Sequence, residues 1–235
     1  MKTLIYQYYS GGSVPRWAHI SVAKFKEYAE RHNSEHLFST EAHTENHYFG
    51  HTRLLYDSLF EQYDKVLYVD VDIVPENMDA NIFDEHIEDV GAIPEYNAPG
   101  LQAVPYYALP NVEAYYRKVA PGFNIPVVQP RSVVAPYLMF NSGVLLYSHA
   151  GRKKARDTFL HWKKWNQSTK GKIMPLDQTY ITGQITKNLN YTELDLKWNC
   201  FPRYKFHEGQ TPAEMNFIHY TGGETKKKLI EELYG

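Results

Sequence analysis

The chain has 235 residues, of which 43% are hydrophobic and 22% charged, and its formal net charge at pH 7 is −2. This length and composition suit one large globular domain, and the small net charge argues against nucleic acid as a partner without excluding it. The single cysteine, Cys200, rules out an internal disulfide framework and fits a reducing compartment. The first apolar stretch is too short for a signal peptide or a membrane span, so we expect a cytoplasmic protein without a transmembrane segment.

Strand and helix patterns alternate along the first part of the chain. The apolar runs are typical of buried strands, and the run that begins at Lys65 is continuous enough for a parallel strand covered on both faces. The helical segments have apolar residues three or four positions apart. The predicted elements are strands at 2–9, 65–74 and 90–96 and helices at 14–33 and 51–63.

Residues 97–137 have a different character, because seven prolines and several tyrosines interrupt every period. One short helix is predicted inside this stretch, at 111–118. Long loops in compact domains are commonly functional or disordered, and the aromatic content favours an ordered, functional loop.

The second half returns to alternating elements. Its predicted members are strands at 137–148, 191–201 and 216–220 and helices at 151–166, 175–188 and 224–234. Strands that alternate with helices indicate an α/β fold with a mostly parallel central sheet flanked by helices, formed by residues 1–235 as a single domain.

Two aspartates one residue apart follow the buried strand that begins at Lys65. Strand spacing lets the carboxylates of Asp70 and Asp72 point to one side at the strand's carboxyl end, where ligands bind in open α/β sheets. Two such carboxylates repel each other unless a positive group lies between them. A magnesium or manganese ion that also binds substrate phosphates would supply that charge. On the residues alone, a turn cap at Asp70 and a solvated Asp72 remain the alternative.

A series of motifs follows in a fixed order between residues 51 and 223: TRLL, YDKVLYVDVDIV, GAIPEY, FNSGVLLY, LDQTYI, KWNCFP and HYTGG. This order resembles the glycosyltransferases of the GT-A fold, most closely family 8 and related viral and bacterial enzymes. The resemblance implies a Rossmann-like domain that binds a nucleotide-sugar donor, usually a UDP-sugar. It also implies a divalent metal, usually manganese, and transfer with retention of anomeric configuration.

The resemblance assigns a role to several residues around the donor's phosphates. Asp70 and Asp72 match the family's metal-binding aspartates, with Asp70 also close to the ribose, and His219 matches the third metal ligand. Gly222 matches a position where the backbone approaches the diphosphate, which a residue without Cβ permits. Lys226 comes one residue later than the family's phosphate-binding lysine, and the alternative is that Lys226 begins a solvated helix face.

Other matches lie near the sugar. Arg53 matches an arginine near the donor, and Asn141 matches an asparagine that contacts the donor sugar, with Ser142 in a small-residue position beside it. Asp177 and Gln178 match a pair that lines the sugar, with the glutamine near the anomeric face. For Asn141 the alternative is a polar kink in a strand, and for Asp177 it is an acid favoured at a helix N-terminus.

Base and acceptor contacts are the least constrained predictions. Tyr6, Gln7 and Tyr9 of the first strand are candidates for stacking on, or hydrogen bonding to, the nucleotide base. The loop 97–137 is expected to form the acceptor pocket, which would take a glycan, a protein side chain or another hydroxyl acceptor. Its stacking candidates are Tyr106, Tyr107, Tyr115 and Tyr137.

Two other classes of function remain open at this stage. A nucleotidyltransferase of similar topology would have a glycine- and arginine-rich phosphate loop, whereas the loop after the first strand offers only Gly11, Gly12 and Arg16. A non-catalytic domain that binds sugar nucleotides would have lost the paired aspartates, the histidine or the Asp177–Gln178 pair, and all of them are present.

Overall fold

The computed structural model describes residues 1–94, 140–169, 176–201, 214–221 and 224–235. The strands are Thr3–Tyr8 (β1), Glu35–Ser39 (β2), Lys65–Val69 (β3), Ile73–Pro75 (β4), Val90–Pro94 (β5), Phe140–Ser148 (β6), Tyr191–Glu193 (β7) and Phe217–His219 (β8). The helices are Arg16–Arg31 (α1), Arg53–Tyr56 (α2), His149–Thr158 (α3), Trp162–Thr169 (α4), Leu176–Asn188 (α5) and Glu224–Tyr234 (α6).

Six strands form the central sheet in the order β2-β1-β3-β6-β5-β7. All neighbours run parallel except β6, which is antiparallel to both β3 and β5. The prediction of an α/β fold with a mostly parallel sheet is therefore confirmed. Strand β2 was not predicted from the sequence, because its EHLFS segment is half-exposed at the sheet edge and lacks an apolar run.

Helices cover both faces of this sheet. On one face Phe25 of α1 packs in a buried cluster with Leu67 of β3. On the other face, Trp165 of α4 and Tyr180 of α5 lie in a second cluster with Tyr147 of β6. Because alternate side chains of a strand point to opposite faces, strands buried on both sides read as continuous apolar runs.

Two of the predicted helices are interrupted. The segment predicted as one helix at 51–63 contains the single turn of α2 between 3₁₀ turns at His47–Thr52 and Ser58–Gln62. Asp57 breaks it, because its backbone is extended and its carboxylate accepts the Leu59 N–H at 2.9 Å. The helix predicted at 151–166 is divided into α3 and α4, since Phe159 has an extended backbone.

A second, two-stranded sheet positions the functional groups. After β3 the chain turns, with the Ile73 N–H donating to the Asp70 carbonyl at 3.2 Å, and continues as β4. β4 pairs antiparallel with β8, and Ile73 lies opposite His219. This pairing brings a residue near the end of the chain beside the turn that contains Asp70 and Asp72.

The described residues also bear on membrane insertion and on the predicted loop. None of its helices has the length and apolar character that a membrane span requires. The loop 97–137, with the helix predicted at 111–118 and the four stacking tyrosines, lies outside the described residues.

Candidate active site

Three candidate metal ligands converge where β3 and β8 end. Each of Asp70, Asp72 and His219 offers one ligand atom, and these atoms all lie within 4.8 Å of one another. The shortest recorded approach is 3.2 Å, between Nε2 of His219 and Oδ1 of Asp72. Two oxygen ligands and one imidazole nitrogen are a donor set that suits manganese, and magnesium less well.

The pKa values of the two carboxyl groups are shifted in opposite directions. Burial, reinforced by the charge of Asp72, raises the pKa of Asp70 to about 6. Burial acts in the same direction on Asp72, but His219 and then Lys227 outweigh it and lower the pKa of that carboxyl. Their mutual repulsion is the cost foreseen for a pair of neighbouring acids, and a divalent cation would remove it.

The repulsion between Asp70 and Asp72 should be measurable as a loss of stability in the metal-free protein. Asp70→Asn is expected to raise the unfolding free energy at pH 7 by about 1 to 3 kcal/mol, because the charged carboxylate is disfavoured in the folded state. A raised folded-state pKa destabilises the protein only where the carboxyl ionises, so the gain should shrink between about pH 6 and pH 4. Urea unfolding at several pH values measures it, with Asp79→Asn as a surface control. Equal stability of Asp70→Asn and the parent protein at pH 7 would contradict the assignment.

Gly143 of β6 lies against the side chains of His219, Asp70 and Asn141. A Cβ built on this glycine would stand 2.7 Å from Cε1 of His219, 2.9 Å from Oδ2 of Asp70 and 2.9 Å from Oδ1 of Asn141. The Gly143 carbonyl also accepts the Asp70 N–H at 2.9 Å. The space above Gly143 is thus open because the residue has no side chain, and it belongs to the candidate metal site.

Hydrogen bonds within the protein fix the side chains of Asp70 and His219. Tyr68 donates its hydroxyl proton to Oδ1 of Asp70 at 2.6 Å, and Nδ1 of His219 lies 2.9 Å from Oδ1 of Asn199. The ring of Phe201 stacks on the imidazole of His219 with 5.2 Å between ring centroids. These contacts leave Nε2 of His219 and the second oxygen of Asp70 directed at the shared space.

The acidic pair lies in a cleft of about 220 Å³. Its lining is mostly aromatic and charged and consists of Tyr8, Tyr9, Ser10, Trp17, His47, Tyr48, Tyr68, Asp70, Val71, Asp72, Asp177 and Lys227. Lys227 crosses this cleft: its Nζ lies 3.4 Å from Oδ2 of Asp72 and 4.6 Å from the ring centroid of Trp17. The cleft therefore combines planar apolar surfaces with one lysine and three carboxylates.

Of the residues predicted to line the sugar, Asp177 reaches the cleft. Asp177 of α5 is part of the cleft lining and accepts a hydrogen bond from the Ser142 hydroxyl at 2.9 Å. Gln178 is buried next to it in the same helix. Oδ1 of Asn141 accepts from the Gly143 N–H and from Nδ2 of Asn199, so this oxygen is engaged within the protein.

Several other predicted residues lie away from the cleft. Tyr6 and Gln7 are both 0% exposed: Tyr6 packs against Phe60, and Gln7 donates to the Ser21 hydroxyl. Of the three predicted base contacts, the structure brings only Tyr9 to the cleft. Arg53 donates to Oδ2 of Asp57 at 2.8 Å and contacts Nε2 of His43 at 2.7 Å, so its guanidinium is engaged within the protein.

The phosphate-binding predictions are only partly covered by the structure. Gly222 lies outside the described residues, and so does the side chain of Lys226. Lys227, the next residue, is the lysine whose ammonium contacts Asp72. The alternative for Lys226 was the start of a solvated helix face, and the pairing of its neighbour Lys227 with Asp72 shows that Lys227 itself does not belong to such a face.

Some site residues were not identified from the sequence. Tyr68 precedes Asp70 by two positions, so the strand period alone could have placed its hydroxyl beside that carboxylate. His51 is buried against Tyr68, with its Nδ1 donating to the Tyr48 carbonyl at 3.1 Å. Its Nε2 has no hydrogen-bond partner among the residues that the structure describes. Burial lowers the pKa of His51, against the opposing effect of Asp177. No local signal pointed to His51 or to Asn199.

Solved structures of similar fold are glycosyltransferases. One of them is a glycosyltransferase involved in the glycosylation of the major capsid of PBCV-1. It matches with a TM-score of 0.59 and 13% sequence identity, and the match covers 99% of this chain and 100% of that chain. Mouse xyloside xylosyltransferase 1 gives a TM-score of 0.55 at 11% identity, with 96% and 99% covered. The bifunctional glycosyltransferase WbbM gives 0.59 at 13% identity, with 94% of this chain and 46% of that chain covered. These likenesses define a GT-A-like fold.

The sequence comparison then gives the family. The profile of glycosyl transferase family 8 matches residues 16–227, and the chain belongs to this family. It is therefore a glycosyltransferase, as the order of its motifs had indicated. A comparison with curated proteins finds no match.

Proposed function

We propose that the chain moves a hexose or a similar sugar from a nucleotide-diphosphate sugar, with UDP as the expected nucleotide, to an acceptor hydroxyl. The observation that carries this proposal is the convergence of Asp70, Asp72 and His219 at the carboxyl end of β3, where both aspartates line an aromatic cleft. A nucleotide needs flat apolar surfaces for its base and cations for its diphosphate, and the cleft has the first and a site for the second.

The residues present fit a divalent metal. Nε2 of His219 and Oδ1 of Asp72 lie 3.2 Å apart, Asp70 adds a further oxygen, and Gly143 leaves space beside Asp70 and His219. We propose manganese, with magnesium as the second choice, held by these three side chains. When bound, the ion would neutralise charge on the departing diphosphate.

Lys227 extends the phosphate contacts proposed for Gly222 and Lys226. In the metal-free protein its ammonium pairs with Asp72 and lies over Trp17, and its side chain is only partly exposed. Because this ammonium lies beside a proposed metal ligand, it could also contact a diphosphate bound there. It would then stabilise the negative charge that develops on the leaving group.

Base recognition is proposed for the part of β1 that reaches the cleft. Tyr9 and the neighbouring Tyr8 both line it, and Trp17 adds a third ring. The burial of Tyr6 and Gln7 supports a role in holding β1 in place, and Arg53 supports the same region through Asp57. Asp70 is proposed to lie near the ribose.

For the chemical step we propose retention by attack on the leaving-group face. The acceptor oxygen would bond to the anomeric carbon as the bond from that carbon to the diphosphate breaks, and the acceptor's proton would pass to the departing diphosphate. Gln178 carries no charge and is a poor nucleophile, which supports this route over a covalent intermediate. Asp177, oriented by Ser142, and Asn141 are proposed to hold sugar hydroxyls.

The acceptor site is proposed to involve residues 97–137, as the sequence suggested, completing a single catalytic domain over 1–235. Fold neighbours that glycosylate a viral capsid or act on a xyloside support a protein or a glycan as the acceptor class. A cytoplasmic location is a further proposal, which rests on the single unpaired Cys200.

A donor-hydrolysis screen tests the function. Purified protein is incubated with a panel of UDP-, GDP- and CMP-sugars and either Mn²⁺ or Mg²⁺, and released nucleoside mono- or diphosphate, pyrophosphate and free sugar are quantified. We expect metal-dependent release of a nucleoside diphosphate from one UDP-sugar, abolished by EDTA and by His219→Gln. Release of pyrophosphate from a nucleoside triphosphate and a sugar phosphate would favour a nucleotidyltransferase. UDP binding that manganese tightens, without turnover of any donor, would favour a binding domain.

A further inference from the structure

We propose that Asn199 is a positioning residue that keeps the neutral imidazole of His219 in the form that carries its proton on Nδ1. This form directs the lone pair of Nε2 toward Asp72 and the candidate metal site. The inference rests on the proposed function for its purpose, but its evidence is a chain of hydrogen bonds in the described residues.

The series of hydrogen bonds begins at the backbone N–H of Gly143, which can only donate. The backbone N–H of Gly143 donates to Oδ1 of Asn141 at 2.9 Å, and a backbone nitrogen has no acceptor form. The oxygen of the Asn141 amide must therefore be the atom at this position. Asn141 is almost fully buried, so its amide has little opportunity to turn.

The orientation of Asn141 determines that of Asn199. The group of Asn199 that faces Oδ1 of Asn141, at 2.8 Å, must be its NH₂ group, because two amide oxygens would repel each other. The oxygen of the Asn199 amide consequently faces Nδ1 of His219 at 2.9 Å. An amide oxygen only accepts hydrogen bonds, so Nδ1 of His219 has to donate.

Burial makes this assignment energetically costly to change. Asn199 is 0% exposed and His219 is 4% exposed, so water cannot replace a lost hydrogen bond at either side chain. The backbone is fixed as well. The Asn199 N–H donates to the Leu196 carbonyl at 2.9 Å, and the His219 N–H donates to the Cys200 carbonyl at 2.7 Å.

The neighbouring Asp72 would favour the opposite position of the His219 proton. Its Oδ1 lies 3.2 Å from Nε2 of His219, so a neutral imidazole free to choose would place its proton on Nε2 and donate it to this carboxylate. A proton on Nε2 would block the nitrogen from binding a metal. Asn199 opposes that arrangement, and it leaves a nitrogen lone pair and a carboxylate oxygen facing the same space, which favours a cation there.

The direct test is long-range ¹H–¹⁵N NMR on metal-free protein labelled with ¹⁵N-histidine, at about pH 8.5, where an ordinary histidine is neutral. The His219 signals are identified by their loss in His219→Gln. We expect the wild-type pattern of a proton on Nδ1, a shift toward the Nε2-protonated form in Asn199→Leu, and retention of the Nδ1 proton in Asn199→Asp, whose carboxylate still accepts. A proton on Nε2 in the wild-type protein would overturn the proposal without any variant, as would an unchanged pattern in Asn199→Leu.

Manganese affinity, measured by EPR in the absence of nucleotide, gives the second readout. Asn199→Leu is expected to weaken binding by about 10- to 100-fold, the usual effect of losing a partner behind a ligating histidine. Asn216→Leu is the matched control, since Asn216 is equally buried but hydrogen-bonds Asn77, away from the cluster. An equal loss of affinity in both variants would mean that Asn199 is merely structural and would overturn the proposal.

The two hypotheses fail in different ways. If the wild-type protein shows the Nδ1 proton but neither binds manganese nor hydrolyses a donor, the proposed function fails and the assignment of Asn199 stands. If donor hydrolysis depends on manganese but His219 is protonated on Nε2 before the metal binds, the function stands and the assignment of Asn199 fails.

Discussion

Replacing Asp72 with asparagine is expected to abolish sugar transfer, with a loss of at least about 1,000-fold in turnover, while the protein remains folded. Asp72 is the carboxylate with the lowered pKa, because His219 in its protonated form and Lys227 outweigh its burial. An asparagine oxygen has no charge to offer a divalent ion or Lys227. The Asp72 carbonyl would still accept the Tyr220 N–H at 2.8 Å, so the turn between β3 and β4 should keep its conformation.

Steady-state turnover with saturating Mn²⁺ or Mg²⁺, together with thermal unfolding, measures this outcome. Asp79→Asn provides the control, since Asp79 is exposed and pairs with Arg31, which is not a residue of the cluster. That control should keep wild-type turnover. Near-normal activity of Asp72→Asn with either metal would rule out the proposed metal site, and unfolding of the variant would shift the test to Asp72→Glu, which retains the charge but displaces it.

Gly143→Ala is the second change with a large expected effect, and we expect manganese affinity to fall by about 100-fold. The added methyl group would lie within 2.9 Å of Asp70 and Asn141 and 2.7 Å from His219, closer than side-chain atoms normally approach. None of these groups can withdraw easily, because Asp70 is held by Tyr68 and His219 by Asn199. Backbone strain is not the cause, as Gly143 does not have a positive φ.

The matched control for this substitution is Gly91→Ala. A Cβ at Gly91 would meet Ile87 at 2.8 Å and Leu194 at 3.0 Å, a similar crowding within the apolar core. Gly91→Ala should therefore lower the free energy of unfolding and leave manganese affinity unchanged, whereas Gly143→Ala should lower the affinity. EPR titration of both variants distinguishes the two effects, and unaltered binding by Gly143→Ala would place the metal elsewhere.

The fold was predictable where the local pattern is strong. β1, β6 and α1 each follow a clear apolar run or helical period, and the structure contains all three near their predicted bounds. The single strand predicted at 65–74 is instead divided into β3 and β4 by the turn that contains Asp70 and Asp72. The sequence pattern was insufficient where one residue decides the geometry. Asp57 ends α2 after a single turn through its own hydrogen bond, although the flanking residues continue a helical period.

The site was predictable to a similar extent. The spacing of Asp70 and Asp72 follows from the strand period, and the later histidine came from the family resemblance. The base contacts show the limit of such reasoning, since the segment predicted as the first strand offers Tyr6, Gln7 and Tyr9 within four positions and, of these three, only Tyr9 reaches the cleft. Because both faces of β1 are covered by helices, a polar or aromatic side chain in it can be fully buried.

The sequence by itself determined the α/β class, most of the helices and strands, and the acidic pair at the end of β3, because these depend on neighbours within a few positions. Only the tertiary structure decided that β6 runs against its neighbours, that the β4–β8 pairing places His219 beside Asp72, and that Asn199 and Lys227 contact the two. Such contacts join residues far apart in the chain, and they follow from how whole elements pack, which no local period encodes.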